Sequence, residues 1–214
     1  MTTAIIGMGD IGSRLAANLA RGGEPLLLAS RKTDDARQVA DRVGAGARAV
    51  SPEEAVAEAE VIVLAVWFDV IKDLFERWDG QVAGKILVDP SNPIAIDGQG
   101  AITKTLPEDQ SSGAVLAGLL PEGARLVKAF GTLTANTLAE AAHRTPRAVE
   151  FYATDDEAAG DAVAALIRTS GFDPVSVGGI DQSLRIEVFG DLHESNLRTT
   201  LTEEQARSRL RARP

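Results

Sequence analysis

Gly7-Met8-Gly9-Asp10-Ile11-Gly12, set directly after the apolar run Thr3-Ala4-Ile5-Ile6, restricts this chain more than any other stretch. After it come Ile11, Leu15 and Leu19 at helical spacing and a second apolar run from Pro25 to Ala29, so Thr2 to Lys32 has the strand, helix, strand order that opens a nucleotide-binding sheet. Each glycine answers a separate steric demand. Gly7 permits the tight turn off the strand, Gly9 lets the backbone approach a pyrophosphate, and Gly12 lets the helix sit close on the sheet. The phosphates then meet free N–H groups at the positive end of the helix. The motif alone is weak evidence in a chain with 20 glycines, and it is the flanking pattern that turns it into a dinucleotide site.

The end of the second apolar run says which dinucleotide. An NAD site places an acid there for the ribose 2′-OH, whereas an NADP site has arginine near a 2′-phosphate. Here the residues are Ser30-Arg31-Lys32, with no acid. Arg31 can stack on adenine and pair with the phosphate, Lys32 adds a point charge and Ser30 a hydroxyl, which points to NADP(H). The competing explanation is an exposed basic turn, since adjacent cations are common on surfaces.

A chain of 214 residues suits one α/β domain or a nucleotide-binding domain with a small appendage. Its net charge of −9 argues against nucleic-acid or anionic-membrane partners, which need a broad basic face. An anionic cofactor must then be captured by local donors. No apolar run reaches the length of a membrane span and no secretion signal opens the chain, so a cytoplasmic protein is expected. With no cysteine and only His143 and His193, disulfides, thiolate chemistry and a multi-histidine metal site drop out.

The rest of the chain alternates apolar runs with amphipathic stretches. A helix is expected over 33–43 and a short strand at 47–50. Ser51-Pro52-Glu53-Glu54 is a capping box opening another helix, and Val61 to Val66 is a doubly covered parallel strand. Strands follow at 85–89, 125–130, 147–153 and 174–177, with helices over 112–120 and 135–143, one opened by the box Thr154-Asp155-Asp156-Glu157, and one over 181–193. Residues 94–112 are expected to be a loop, either a binding lid or a mobile surface excursion. The fold class is a Rossmann-like, doubly wound, mostly parallel sheet with a small C-terminal α/β extension. It divides into an NADP-binding part over 1–130, a smaller portion over 131–194 that completes the cleft, and a polar arginine-rich tail over 195–214 that is a solvated helix, a disordered end or a truncated element.

Ligands of open α/β sheets lie at the carboxyl ends of the strands. Trp67 and Phe68 stand at such an end and either wall the nicotinamide side of the cleft, with Phe68 meeting the substrate, or one or both pack on the next helix, and the sequence leaves this open. Asn92, in the rigid turn Pro90-Ser91-Asn92-Pro93, can face a ligand. Gly131, Thr132 and Leu133 stand at the end of the 125–130 strand. Lys128 is expected at a sheet edge or partly in solvent, and His143 at the negative end of a helix dipole. His193 is open between a site role and capping.

Several stretches resemble the coenzyme F420-dependent NADP oxidoreductases and their relatives, which include the cytoplasmic domain of the STEAP metalloreductases. They are Ala4-Ile5-Ile6-Gly7-Met8-Gly9-Asp10-Ile11-Gly12, Ala29-Ser30-Arg31, Leu64-Ala65-Val66-Trp67, Val127-Lys128-Ala129-Phe130-Gly131-Thr132-Leu133 and Gly190-Asp191-Leu192-His193-Glu194. The resemblance implies hydride transfer between NADPH and the deazaflavin ring of F420. It assigns Gly9, Asp10 and Ile11 to the pyrophosphate, Ser30 and Arg31 to the 2′-phosphate, Ala65, Val66 and Trp67 to the nicotinamide half, and Gly131 to Leu133 to the second ring. It also implies a homodimer. Two features depart from the family: Gly131 stands where members using F420 often have histidine, and the last twenty residues are polar where theirs are apolar.

Ring-to-ring hydride transfer asks the protein chiefly for stacking and alignment. Reduction of a carbonyl or imine also needs a proton donor, and the chain offers only Asp191 and His193 for it; Tyr152 lacks the lysine four residues later that short-chain dehydrogenases carry. The expected function is thus NADPH-dependent reduction of a flat cofactor acceptor, F420 or a flavin. An imine or carbonyl reductase acting on a small molecule, and a non-catalytic NADPH-binding redox sensor, are the alternatives.

Overall fold

The structure, a computed structural model, describes residues 1–44 and 46–212. Strands and helices alternate through β1 (Thr3–Ile6), α1 (Asp10–Arg21), β2 (Leu26–Ala29), α2 (Thr33–Val43), β3 (Arg48–Ala49), α3 (Pro52–Glu58), β4 (Val61–Leu64), α4 (Phe68–Arg77) and β5 (Ile86–Asp89). A hairpin, β6 (Ile94–Ile96) and β7 (Ile102–Lys104), interrupts the alternation before α5 (Ser112–Gly118) and β8 (Arg125–Ala129). Then follow α6 (Ala135–Ala141), β9 (Val149–Ala153), α7 (Glu157–Thr169), β10 (Asp173–Ser176) and three C-terminal helices, α8 (Ser183–Ile186), α9 (Glu194–Leu197) and α10 (Glu203–Arg211).

Eight strands form one sheet in the order β10-β9-β8-β5-β4-β1-β2-β3. The six from β3 to β8 are parallel, whereas β9 runs antiparallel to β8 and carries β10 parallel to itself. The sheet is Rossmann-like and mostly parallel. Alternation along each strand feeds two cores: Ile5, Val61 and Val63 face one side, packed by Leu15 and Leu19 of α1, Leu138 of α6 and Val163 of α7. Ala4, Ile6, Ile62 and Leu64 face the other, packed by Val56 of α3, Ile71 of α4 and Leu116 of α5. Because helices cover both faces, the central strands can be apolar at every position.

Strand order reverses between β1 and β4, so the glycine turn after β1 and Ala65-Val66-Trp67 after β4 open side by side at the crevice where such sheets bind ligands. Both glycine demands are met there. A Cβ on Gly7, whose φ is +102°, would lie 2.2 Å from the Ala65 carbonyl oxygen, and one on Gly12 would lie 1.8 Å from the Gly7 oxygen. Only hydrogen side chains allow the turn and the helix to come this close.

Five expectations need correction. The 94–112 stretch contains the β6–β7 hairpin: Asp97 Oδ1 accepts the amides of Gln99 and Ala101, and Gly100 supplies a φ of +83°, so turn chemistry outweighs the weak periodicity. The helix expected over 181–193 is limited to a 3₁₀ turn at Ile180–Gln182 and the four residues of α8. It stops because the Glu187 carboxylate is drawn into the interior by the amides of Ser112 and Gly113, with the Glu187 backbone extended at ψ 165°. The box at Thr154 is shifted: Asp156 caps α7 through the Ala159 amide, while the Thr154 hydroxyl donates to the Leu126 carbonyl. Lys128 is 1% exposed, not at an edge. The tail forms α10, with a Thr202–Gln205 capping box, a buried Ala206, and Leu201 and Leu210 packed on β9 and β10; its final residues, Arg213 and Pro214, lie outside the described residues.

Candidate functional site

The first turn of α1 carries no side-chain cap at Gly9, so the leading N–H groups have no side chain across them. A Cβ on Gly9 would meet nothing within 4 Å, which leaves room for a group to approach the backbone. Asp10 points outward at 86% side-chain exposure and is paired with Arg14 at 2.8 Å, so its charge is balanced away from those amides. Met8 and Ile11 are half-buried against the core beside the turn.

Ser30 is buried and its hydroxyl donates to the Lys32 carbonyl, which tightens the bend after β2. Arg31 and Lys32 are exposed and form no ion pair among the described residues. Two cations beside the crevice without carboxylate partners suit an anionic ligand better than a structural salt bridge.

Beyond β4, Ala65 and Val66 are half-buried and Trp67 is 58% exposed, whereas Phe68 is 4% exposed and belongs to the core. Trp67 therefore contributes little to packing. Trp67, Phe68 and Asp69 face Ile94, Ala95 and Ile96 across a groove of about 320 Å³. Asn92 uses both ends of its amide within the protein: Oδ1 accepts from the Val188 amide at 2.7 Å, and Nδ2 donates to the Gly131 carbonyl at 3.1 Å. It is a strut joining three segments, with one amide hydrogen left over. Gly131, Thr132 and Leu133 are buried, so their side chains offer little surface to a ligand.

Residues 2–93 match the family described as NADP oxidoreductase, coenzyme F420-dependent. The F420-dependent NADP reductase of Methanothermobacter thermautotrophicus is 29% identical over 87% of this chain and 85% of its own. A solved structure of the hypothetical protein SMa0349 from Sinorhizobium meliloti is 32% identical and superposes with a TM-score of 0.81 over 95% of this chain and 96% of that one. The N-terminal part of the chain, which carries the glycine turn and Ser30-Arg31-Lys32, thus matches the coenzyme F420-dependent NADP oxidoreductase family, and the chain as a whole is similar to an F420-dependent NADP reductase. Metalloreductase STEAP3 of Rattus norvegicus is 32% identical over 86% of this chain, which spans 35% of the rat protein.

Behind the ends of β5 and β8 lies a buried ionic network that the sequence did not reveal. Lys128 Nζ donates to Asp89 Oδ2 at 2.7 Å, to the Ser112 hydroxyl at 2.8 Å and to the Ser91 carbonyl, and lies 3.5 Å from Glu187 Oε1. Lys128 and Asp89 are register partners on adjacent strands, a signal visible only once β5 and β8 are known to be neighbours. The network joins both strands to α5 and to the turn after α8.

A second buried group lies under Thr132. Glu150 on β9 is fully buried and neither carboxylate oxygen completes a hydrogen bond. Burial pushes its carboxyl up to about 8; the Glu194 charge adds to the rise and the Thr132 side chain opposes it without hydrogen-bond geometry. An acid inside the run Val149 to Ala153 was the sequence signal for it. His193 is 4% exposed and caps α9, its Nδ1 accepting the Ser195 amide. Burial lowers its imidazole to about 4 against the smaller opposing effects of Glu194 and the Gly131 carbonyl. It is therefore neutral near pH 7. Asp191 is paired with Arg185 through both oxygens, at 3.2 and 3.1 Å. Of the two residues nominated as acids, one holds no proton to give as imidazolium at neutral pH and the other is bound to a guanidinium. His143 lies at the end of α6, where its Nε2 meets the Asn18 carbonyl at 3.0 Å and links α6 to α1.

Proposed function

We propose that this protein is an NADPH-dependent reductase whose acceptor is a flat ring, F420 or a flavin. One observation carries the reading above the others: the open, uncapped start of α1 lies at the switch point of the sheet, with Arg31 and Lys32, which form no ion pair among the described residues, at the neighbouring strand end. The residues fit the cofactor. Amides from Gly7 to Gly12 would hold the diphosphate, Ser30, Arg31 and Lys32 the 2′-phosphate, and Ala65, Val66 and Trp67 the nicotinamide half, with Asn92 bracing that end.

When bound, NADPH would supply a hydride, and the single proton that completes reduction of a ring acceptor would come from solvent. The protein's part is to hold two planes in register and keep water from between them. Trp67 and the groove beside it offer apolar surface for that purpose, and the Asn92–Gly131 and Lys128–Asp89 hydrogen bonds tie the ends of β5 and β8 together. The absence of an accessible acid among Asp191 and His193 favours ring reduction over imine or carbonyl chemistry.

The experiment is NADPH oxidation followed by nicotinamide absorbance with F420, FMN, FAD and a panel of imines and ketones. Turnover with a ring acceptor supports the reading. Turnover confined to imines or ketones would replace it, and tight NADPH binding with no turnover on any acceptor would make the protein a sensor.

A further inference from the structure

The β6–β7 hairpin forms a sheet of its own and pairs with no strand of the eight-stranded sheet. Its register sets Ile94 opposite Lys104, Ala95 opposite Thr103 and Ile96 opposite Ile102. Residues directly across a ladder and residues two apart share a face, so Ile94, Ile96 and Ile102 line one side of the ribbon with the Lys104 stem, and Ala95 and Thr103 the other. An isolated two-stranded ribbon is marginal in water and gains stability by laying such a side on a core. Here Ile96 is 53% exposed and Ile102 47%.

Across the groove of about 320 Å³ from Ile94 and Ile96 stands Trp67, itself largely in water. Both walls keep apolar surface wet, which is unfavourable in proportion to its area. Charge does not explain the gap: Asp69, the one ionisable residue among the described residues that line it, is balanced by Lys72 at 2.7 Å.

The hairpin is stiff along its length and footed at one end. At the tip, Asp97 N donates to the Ala101 carbonyl at 3.1 Å, Gly100 N donates to the Asp97 carbonyl at 3.0 Å, and the Asp97 carboxylate accepts the Gln99 and Ala101 amides. At the base, Thr105 N donates to the Pro93 carbonyl at 2.8 Å and Ile94 N to the Asn92 carbonyl at 2.9 Å. Asn92 is itself fixed to Gly131 and Val188, and Leu106 packs on the core. A change in the arm's angle therefore falls on the few backbone torsions around Pro93 and Thr105.

We propose that the hairpin is a lid: when a dinucleotide occupies the crevice, the arm swings toward Trp67 and its isoleucine side shuts the groove over the nicotinamide end. The inference rests on the NADPH reading of that site. A ligand drives closure only by binding the closed form more tightly than the open one. A flat ring between Trp67 and Ile96 meets that condition, because it touches the tryptophan in either form and the isoleucines in the closed form alone. Closure also excludes water from the end of the cofactor that carries the hydride.

The chain has no cysteine, so Gln99→Cys at the tip and Asp73→Cys, one turn along α4 from Asp69, place a pair of nitroxide labels on either side of the groove. Both positions are exposed. The distance between the labels is measured by electron spin resonance in the free chain, with NADP⁺, and with adenosine 2′,5′-bisphosphate, which fills the adenosine end alone; calorimetry on the same samples reads binding. NADP⁺ is expected to shorten the distance and the bisphosphate to leave it as in the free chain. Ile96→Ser in the labelled chain should lose the shortening and weaken NADP⁺ roughly tenfold, with the bisphosphate affinity unchanged. NADP⁺ bound at an unchanged distance overturns the lid and leaves the NADPH reading standing. Equal shortening by the bisphosphate overturns the assignment to the nicotinamide end, and full shortening with full affinity in Ile96→Ser overturns the isoleucine contact. No binding of NADP⁺ removes the NADPH reading, and the lid falls with it.

Discussion

Arg31 and Lys32 show what a residue can announce by itself and what it cannot. A basic pair at the end of the second strand is the ground for the proposed 2′-phosphate contact, and the structure leaves both side chains exposed with no carboxylate partner among the described residues. Arg31→Ala is expected to weaken NADPH roughly 10- to 100-fold, the worth of a charge-assisted contact, and NADH little; calorimetry with both cofactors measures it, and equal losses would remove the phosphate assignment. Glu150 and His193 make a second pair, this time in stability. Glu150 is raised from 4.5 to about 8, so the folded protein holds a proton the unfolded chain has lost, and stability falls as pH rises between those values. His193 is lowered from 6.5 to about 4, so the unfolded chain holds the extra proton, and stability falls as pH drops through that window. The slopes cancel between 4.5 and 6.5, and Glu150 alone acts from 6.5 to 8. Over that upper interval the wild type should lose about 2 kcal/mol. Glu150→Gln should flatten this limb in urea titrations at pH 6.5 and 8; an unchanged limb would show that Glu150 does not cause it.

At the scale of elements, the decisive contacts are between neighbours in space. Helix α1 reaches the sheet because Gly12 has no Cβ to strike the Gly7 carbonyl. Gly12→Ala should therefore push the helix away, costing about 3 kcal/mol and abolishing NADPH binding; a variant that binds normally would show that the turn has slack. Strands β5 and β8 are tied by Lys128 between Asp89 and Glu187. Replacing Lys128 with Met leaves two carboxylates buried without their cation, with an expected loss of roughly 3 to 5 kcal/mol in denaturant unfolding. Sequence alone placed Lys128 in a strand but put it in the wrong surroundings, because a single strand does not disclose which charge stands beside it. The hairpin β6–β7 was missed for a different reason: its strands are three residues each, too short for periodicity to register, and the Asp97 turn that closes them is a side-chain device.

For the molecule as a whole, the C-terminal third extends the sheet rather than standing apart from it. Strands β9 and β10 reverse direction, and α10 closes their outer face through Ala206 and Leu210, helped by Leu201 just before it, whose carbonyl accepts the Val149 amide. Ending the chain at Thr200 should expose that face and lower stability by about 3 kcal/mol, read from urea midpoints; an unchanged midpoint would make the helix a passive appendage. None of the helices in the described residues is long and apolar enough to cross a membrane. The sequence by itself determined the parallel half of the sheet and the position of the dinucleotide turn, because these depend on local steric rules and on apolar periodicity, which are written residue by residue. Tertiary structure alone decided that Lys128 is an interior cation and that the helix after Ile186 stops. Each of those depends on which distant backbone donors and charges arrive at one place, and neither spacing nor composition records that meeting.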